Sequence, residues 1–260
     1  MKKLLWVVLW LVPGMLFAQS PFDGTWKTNM AQAKLSQKPY EFSVDKGMYD
    51  CKSCSPKIKD LKADGQDQPV TGQNYDTLAV QATDANSIHV IGKKGGGKPE
   101  FEQTRTASAD GTTLTVSSTN YPADGSASYK SESKWARVSK GPASSNGTSG
   151  SWRIQNVDED TAGLTTTWKG DGSMLSMSTP TGESWEAKLD GKEYPVKGTY
   201  ANETVSVKPL GDRSIEATYR RDGKVESIDK ITVSADGKQM TTVVDNKRFG
   251  RVSTFVDDKQ

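Results

Sequence analysis

The sequence predicts an all-β protein built as two tandem small antiparallel β-barrels of about eight strands each. Three observations carry that expectation. Short runs of β-branched and aromatic residues are separated by Gly, Asp and Asn along most of the chain, the pattern of half-buried strands joined by tight turns. A hairpin signature, Ser108-Ala109-Asp110-Gly111, returns 126 residues later as Ser234-Ala235-Asp236-Gly237. The same offset carries Gly24-Thr25-Trp26 onto Gly150-Ser151-Trp152, Asp64-Gly65 onto Asp190-Gly191 and Pro69-Val70 onto Pro195-Val196. Four landmarks in one register define a duplicated unit.

The chain opens with Met1-Lys2-Lys3 and an apolar run over residues 4–17, shorter than the roughly 20 residues a membrane-spanning helix needs. A polar stretch follows from Gln19. Residues 1–18 therefore read as a signal peptide cleaved after Ala18, and the mature chain as periplasmic or secreted and not membrane-spanning. No Cys follows the cleavage point, so no lipid anchor is expected. Without Lys2 and Lys3 the chain carries 32 basic and 32 acidic residues. With no basic run, a nucleic-acid partner is excluded.

The first repeat spans residues 22–138. Residues 31–40 have no period and end beside Pro39, so they read as a loop. Residues 42–49 are strand-like, and Thr77-Leu78-Ala79-Val80-Gln81 alternates, as half-buried strands do. Ser87-Ile88 begins the next strand, and residues 94–98 turn it. The Asp-Gly pair then separates residues 101–107 from 112–117, the strongest short hairpin cue. Residues 120–128 form a longer surface loop than the equivalent 246–250, and such loops vary specificity. Residues 139–149 (SKGPASSNGTS) read as a linker. The second repeat, residues 150–260, follows the same plan through Thr204-Val205-Ser206-Val207-Lys208, Ser214-Ile215, Asp222-Gly223-Lys224 and the second Asp-Gly hairpin.

Eight short antiparallel strands hide their edges by closing into a barrel. On that plan Gly24-Thr25-Trp26 and Gly150-Ser151-Trp152 resemble the Gly-X-Trp signature on the first strand of lipocalins and the wider calycin group. The resemblance implies a Trp plugging one barrel end, with an Arg of the last strand across its ring. The barrel signature is thus Gly24, Trp26 and Arg137 in the first unit, and Gly150 and Trp152 in the second, where Phe255 stands at the place of the Arg. The whole pattern, including Cys-Lys-Ser-Cys and Lys-Ala-Asp-Gly-Gln-Asp-Gln-Pro-Val, also resembles exported bacterial proteins of two such units without assigned activity. A single outer-membrane barrel is disfavoured, since its strands need about nine to eleven residues and an apolar outer stripe.

Cys51 and Cys54 are the only cysteines. In an oxidising compartment they predict a structural disulfide. A redox pair would want a helix start, and Pro56 follows instead; zinc would need more ligands than His89 supplies. Met177 and Pro180 replace the cysteines in the second unit, so the fold does not require the bridge. No metal or cofactor is expected. Residues 92–98 fit Gly-X4-Gly-Lys, but Pro99 stands where a phosphate loop needs Ser or Thr. Residues 158–163 are similar to the start of a calcium loop, but Ala162 and Lys169 occupy ligand positions.

The aromatics Trp168, Trp185, Tyr194 and Tyr219 are the candidate ligand-binding residues, with Trp152 and Tyr200 nearby in sequence. Aromatics at a barrel mouth can stack on a ligand, although core packing accounts for them equally well. The expected function is non-enzymatic binding of a small apolar or amphipathic ligand, as the family resemblance implies. The alternative is a structural or protein-interaction module of the cell envelope with packed barrels. An enzyme is disfavoured for want of a convergent acid–base set, and would show titratable residues clustered in one cleft.

Overall fold

The computed structural model describes residues 20–95, 97–122, 125, 127–199 and 202–260. Residues 1–18, expected to be a signal peptide, Tyr200 and part of the 120–128 loop lie outside the described residues. The chain is all-β, with two single-turn 3-10 helices (Met30–Gln32 and Thr161–Leu164). No helix among the described residues is long and apolar enough to cross a membrane.

The strands in chain order begin with β1 (Gly24–Thr28), β2 (Tyr40–Asp45), β3 (Met48–Cys51), β4 (Ile58–Lys62) and β5 (Gln68–Pro69). Next come β6 (Thr77–Asp84), β7 (Ser87–Lys94), β8 (Lys98–Ala107), β9 (Thr113–Asn120) and β10 (Tyr129–Lys140). The second half has β11 (Gly150–Glu159), β12 (Thr165–Gly170), β13 (Met174–Ser178), β14 (Ser184–Lys188) and β15 (Glu193–Lys197). It ends with β16 (Glu203–Gly211), β17 (Ser214–Arg221), β18 (Lys224–Val233), β19 (Gln239–Asn246) and β20 (Arg251–Lys259).

These strands form two antiparallel sheets of ten, not eight. One is a barrel-like sheet in the order β4-β3-β2-β11-β10-β9-β8-β7-β6-β5, and the other is a closed barrel, β1-β12-β13-β14-β15-β16-β17-β18-β19-β20. The undercount has a local cause. Residues 42–49 alternate like one strand, but Lys46 (φ 49°) and Gly47 (φ 75°) turn the chain back on itself and make the β2–β3 hairpin. The two-residue β5 adds an edge too short to show a period.

The repeats in sequence and the sheets in space are offset by one strand. β11, which opens the second repeat, pairs with β10 and β2 in the first sheet. β1, which opens the first repeat, pairs with β12 and β20 and closes the second barrel. Residues 141–149 make β10 and β11 a local hairpin, and a short connection has the lower closure entropy. That hairpin leaves the place beside β20 to the other Gly-X-Trp strand. The 139–149 segment is packed rather than slack. Asn146 N donates to Val44 O at 2.8 Å, Gly147 N to Ala85 O at 2.7 Å, and Thr148 and Ser149 are buried.

Each sheet wraps its own core. Phe42, Tyr49, Leu78, Val80, Ile88, Leu114 and Trp152 belong to the first. Phe22, Trp26, Trp168, Trp185, Val205, Ile215 and Met240 belong to the second. The Cys51–Cys54 disulfide is formed, in the turn between β3 and β4. Both Asp-Gly hairpins repeat atom for atom: Ser108 Oγ donates to Asp110 Oδ1 at 2.6 Å and Ser234 Oγ to Asp236 Oδ1 at 2.6 Å. With Thr112 donating as well, the Asp110 carboxyl is held down to about 2.

Trp26 and Trp152 are both 0% exposed, and each indole N–H donates at 2.8 Å to a carbonyl four residues back, Phe22 and Thr148. Their cation partners are exchanged along with the strands. Arg137 lies 3.9 Å over the ring of Trp152, not Trp26, and Lys259 lies 5.1 Å from that of Trp26. Lys259, not Phe255, thus stands where Arg137 stands, opposite the Trp in the ladder. The glycine two places before each Trp permits this close approach, since a Cβ at Gly24 would meet Lys259 Cε at 2.7 Å and one at Gly150 would meet Arg137 Nη1 at 3.0 Å. Arg137 also donates to the carbonyls of Gly111, Gly147 and Ser149. Arg137→Ala should therefore cost about 2–3 kcal/mol, since three acceptors and a cation–π contact go. Lys259→Ala should cost less than about 1 kcal/mol. Urea denaturation of the two variants checks the difference.

Candidate functional site

The two interiors are filled differently, and the repeat register shows how. Along β8 the inward side chains are Phe101, Gln103, Arg105 and Ala107; their counterparts along β18 are Ser227, Asp229, Ile231 and Val233. In the first sheet the Phe101 ring lies over Gly92, where a Cβ would meet it at 2.3 Å, and packs edge-on against Tyr75 at 5.3 Å. Arg105 fills the space beneath. Its guanidinium sits 4.6 Å over Phe42 and donates to Gln103 Oε1 at 2.9 Å and to Tyr49 Oη at 3.4 Å. The second barrel has Tyr219 in place of Gly92 and Ile231 in place of Arg105, so neither plug is present.

What remains is a cavity of about 420 Å³ inside the second barrel, within the size range of small-molecule sites. Its apolar wall includes Trp168, Met177, Ile231, Met240 and Phe255. Trp168 and Trp185 meet edge-to-face at 5.5 Å, and the Trp185 indole N–H donates to Tyr219 Oη at 3.0 Å. That bond locks the two aromatics as one wall.

Five acidic side chains line the same space, Glu183, Glu203, Glu226, Asp229 and Asp257, against one basic one, Arg248. Arg248 is engaged at the rim. It donates to Glu226 Oε2 at 3.2 Å, to Asn74 Oδ1 at 3.1 Å and to the carbonyls of Gly72 and Ser55, tying the turn after the disulfide to the barrel mouth. Arg221 also pairs with Glu226 at 3.0 Å. Among the described residues no lysine or arginine forms an ion pair with Glu183, Glu203 or Asp229. One oxygen of Glu203 (Oε2) and one of Asp229 (Oδ1) are buried without a hydrogen-bond partner.

Burial without a counter-charge favours the neutral acid. The Glu183 carboxyl is pushed up to about 7 by burial first, then by Glu203 and Asp229. Asp229 is pushed up to about 7 by burial, which outweighs the opposing bond from Ser227. Asp257 rises for the same reason, although Thr28 Oγ1 donates to it at 2.6 Å. The buried Tyr219 hydroxyl is held well above its ordinary range, by burial and then by Asp229 and Glu183.

Of the aromatics expected from the sequence, Trp168 and Tyr219 line the cavity and Trp185 backs them. Tyr194 does not take part; it packs against the outside of the core cluster, and its hydroxyl donates to Asp190 Oδ2 at 3.1 Å. The carboxylates were missed, because no period marks them. Comparing inward positions between repeats would have found Asp229 opposite Gln103. Elsewhere, Lys94 pairs with Lys98 where β7 returns into β8, Asp160 is occupied by the backbone N–H of Lys130 at 2.7 Å, and His89 lies in β7, paired in register with Gln81 and Thr104. A groove beside His89 is lined mainly by polar residues of β8, β9, β10 and β11.

Comparison with known proteins adds no relative. The chain matches no family model, and no curated protein or solved structure matches it. The functional reading rests on the cavity.

Proposed function

We propose that this is an exported, non-enzymatic binding protein that holds a small amphipathic ligand inside its second barrel, in the manner of a lipocalin. The observation that carries the reading is the unequal filling of two copies of one plan. At the level where the first sheet packs Phe101 against Tyr75 and Arg105 over Phe42, the second barrel has a cavity of about 420 Å³ lined by Trp168, Met177, Ile231 and Met240 together with acidic side chains. The cavity opens at the barrel mouth beside Asn74 and Arg248, so a small molecule can enter it from solvent. The first sheet then serves as scaffold, and its Asn74 contributes to the rim.

A hydrolytic reading is favoured by one observation, the carboxyl cluster in the cavity. A carboxyl pair that catalyses glycoside transfer divides the labour, one acid protonated and the other ionised. Burial raises both Glu183 and Asp229, and the binding reading rests on the different filling of the two repeats, not on this acid cluster. Native mass spectrometry of protein purified from its exported source tests it. A non-covalent mass that disappears on denaturation is expected. A bare polypeptide mass together with turnover of aryl glycosides would replace binding with catalysis.

A further inference from the structure

The class of ligand follows from what the second cavity lacks. Its acidic side chains come from several elements: Glu183 before β14, Glu203 on β16, Asp229 and Glu226 on β18, and Asp257 on β20. The other charged or titratable groups facing them are Tyr219 on β17, Tyr129 of β10 beside Glu183 and Arg248 at the rim, with Asp245 of β19 and Asp258 of β20 adding repulsion at Asp229 and Asp257. Arg248 is spent on Glu226, which also takes Arg221. Glu203 Oε2 and Asp229 Oδ1 have no donor at all. Ser227 gives the Asp229 carboxyl one hydrogen bond, but a buried carboxylate oxygen left without donor or counter-ion remains costly. The first sheet at the same level has Gln103, satisfied by Arg105.

We propose that the ligand carries an ammonium or similar organic cation, which Glu183, Glu203 and Asp229 receive while its apolar part lies against Trp168, Met177 and Met240. This rests on the binding reading above. An organic cation fits better than a metal ion, because among the described residues no three His, Cys, Asp or Glu side chains converge closely enough to hold one. Hard cations need several oxygens at bonding distance; a substituted ammonium on an apolar stem is satisfied by negative charge spread around an aromatic wall.

Calorimetric titration of the mature protein with decylammonium chloride and with decanol, both below micellar concentration, tests this. Near pH 8 Glu183 and Asp229, raised to about 7, are ionised and the amine is still protonated. Decylammonium should bind at least about tenfold more tightly than decanol, the worth of one desolvated charge-assisted contact. Near pH 5 Glu183 and Asp229 take protons and the preference should shrink. In the double variant Glu183→Gln/Asp229→Asn the preference for decylammonium near pH 8 should fall severalfold; an unchanged preference would overturn the cation assignment. Equal binding of the two probes by the wild type near pH 8 would overturn the cation assignment and leave the binding reading standing. Failure of both probes to bind would overturn both.

Discussion

Deleting residues 20–29 should unfold the second barrel and leave the first sheet folded, although those residues open the first repeat. β1 pairs with β12 at Gly24, Thr25, Trp26 and Lys27, and with β20 at Trp26, Lys27 and Thr28. Its removal exposes two strand edges and opens the barrel. It also takes away Phe22 and Trp26, both in the core of the second barrel. Loss of a fully buried Trp side chain alone costs about 3–5 kcal/mol, a large part of the roughly 5–15 kcal/mol that holds a domain. Hydrogen exchange read by peptide should show protection lost across residues 165–259 and kept across 40–159. Trp26→Ala should weaken the same region, and Trp152→Ala the opposite one. Loss of protection in residues 77–120 on deleting β1 would contradict the exchanged pairing.

Raising the pH from about 5 to about 8 should destabilise the protein, against the usual behaviour of carboxyls. Glu183 and Asp229 are raised to about 7 in the folded state, whereas unfolded carboxyls titrate near 4. Between those values the folded chain holds more protons than the unfolded one, so unfolding free energy falls as pH rises. The loss begins near pH 4 and levels off above pH 7, and is of order 3 kcal/mol for the coupled pair. Asp110 is exposed and held down to about 2, so its effect lies below this window. Asp229→Asn should be nearly neutral near pH 4 and stabilising by about 2 kcal/mol near pH 8, where it removes an uncompensated buried charge. Urea midpoints for both proteins at the two pH values check the sign. Greater wild-type stability near pH 8 than near pH 5 would remove the buried-acid account.

The duplication and the hairpins were legible because they depend on local chemistry. Asp110-Gly111 and Asp236-Gly237 form the turns that Asp-Gly pairs favour, and the disulfide joins the only two cysteines. Strand exchange was not legible, since Gly24-Thr25-Trp26 and Gly150-Ser151-Trp152 are nearly the same and either could fill either place. Only the geometry of residues 141–149, which binds β10 to β11, decides between them. For the same reason Arg137 was set against the wrong Trp. The cavity was half legible: Trp168, Trp185 and Tyr219 stand out as large aromatics, but an inward Asp229 looks like any of the acidic residues on the solvated strand faces. Tyr194 stood out equally and lies elsewhere, because alternation does not tell the inner from the outer face of a strand bordered by irregular turns.

The central claim is that the interior of the second barrel is the binding site, and one substitution tests it. Ile231 is buried on the cavity wall at the place where Arg105 fills the first sheet. Ile231→Arg would set a guanidinium among the carboxylates and fill the space, with its charge compensated by Asp229. The measurement is a fluorescence titration of wild type and variant with the neutral apolar dye N-phenyl-1-naphthylamine. Saturable one-to-one binding by the wild type, lost in a variant that remains folded by circular dichroism, is the expected result. Binding that survives Ile231→Arg unchanged, or no saturable binding by the wild type, would contradict it.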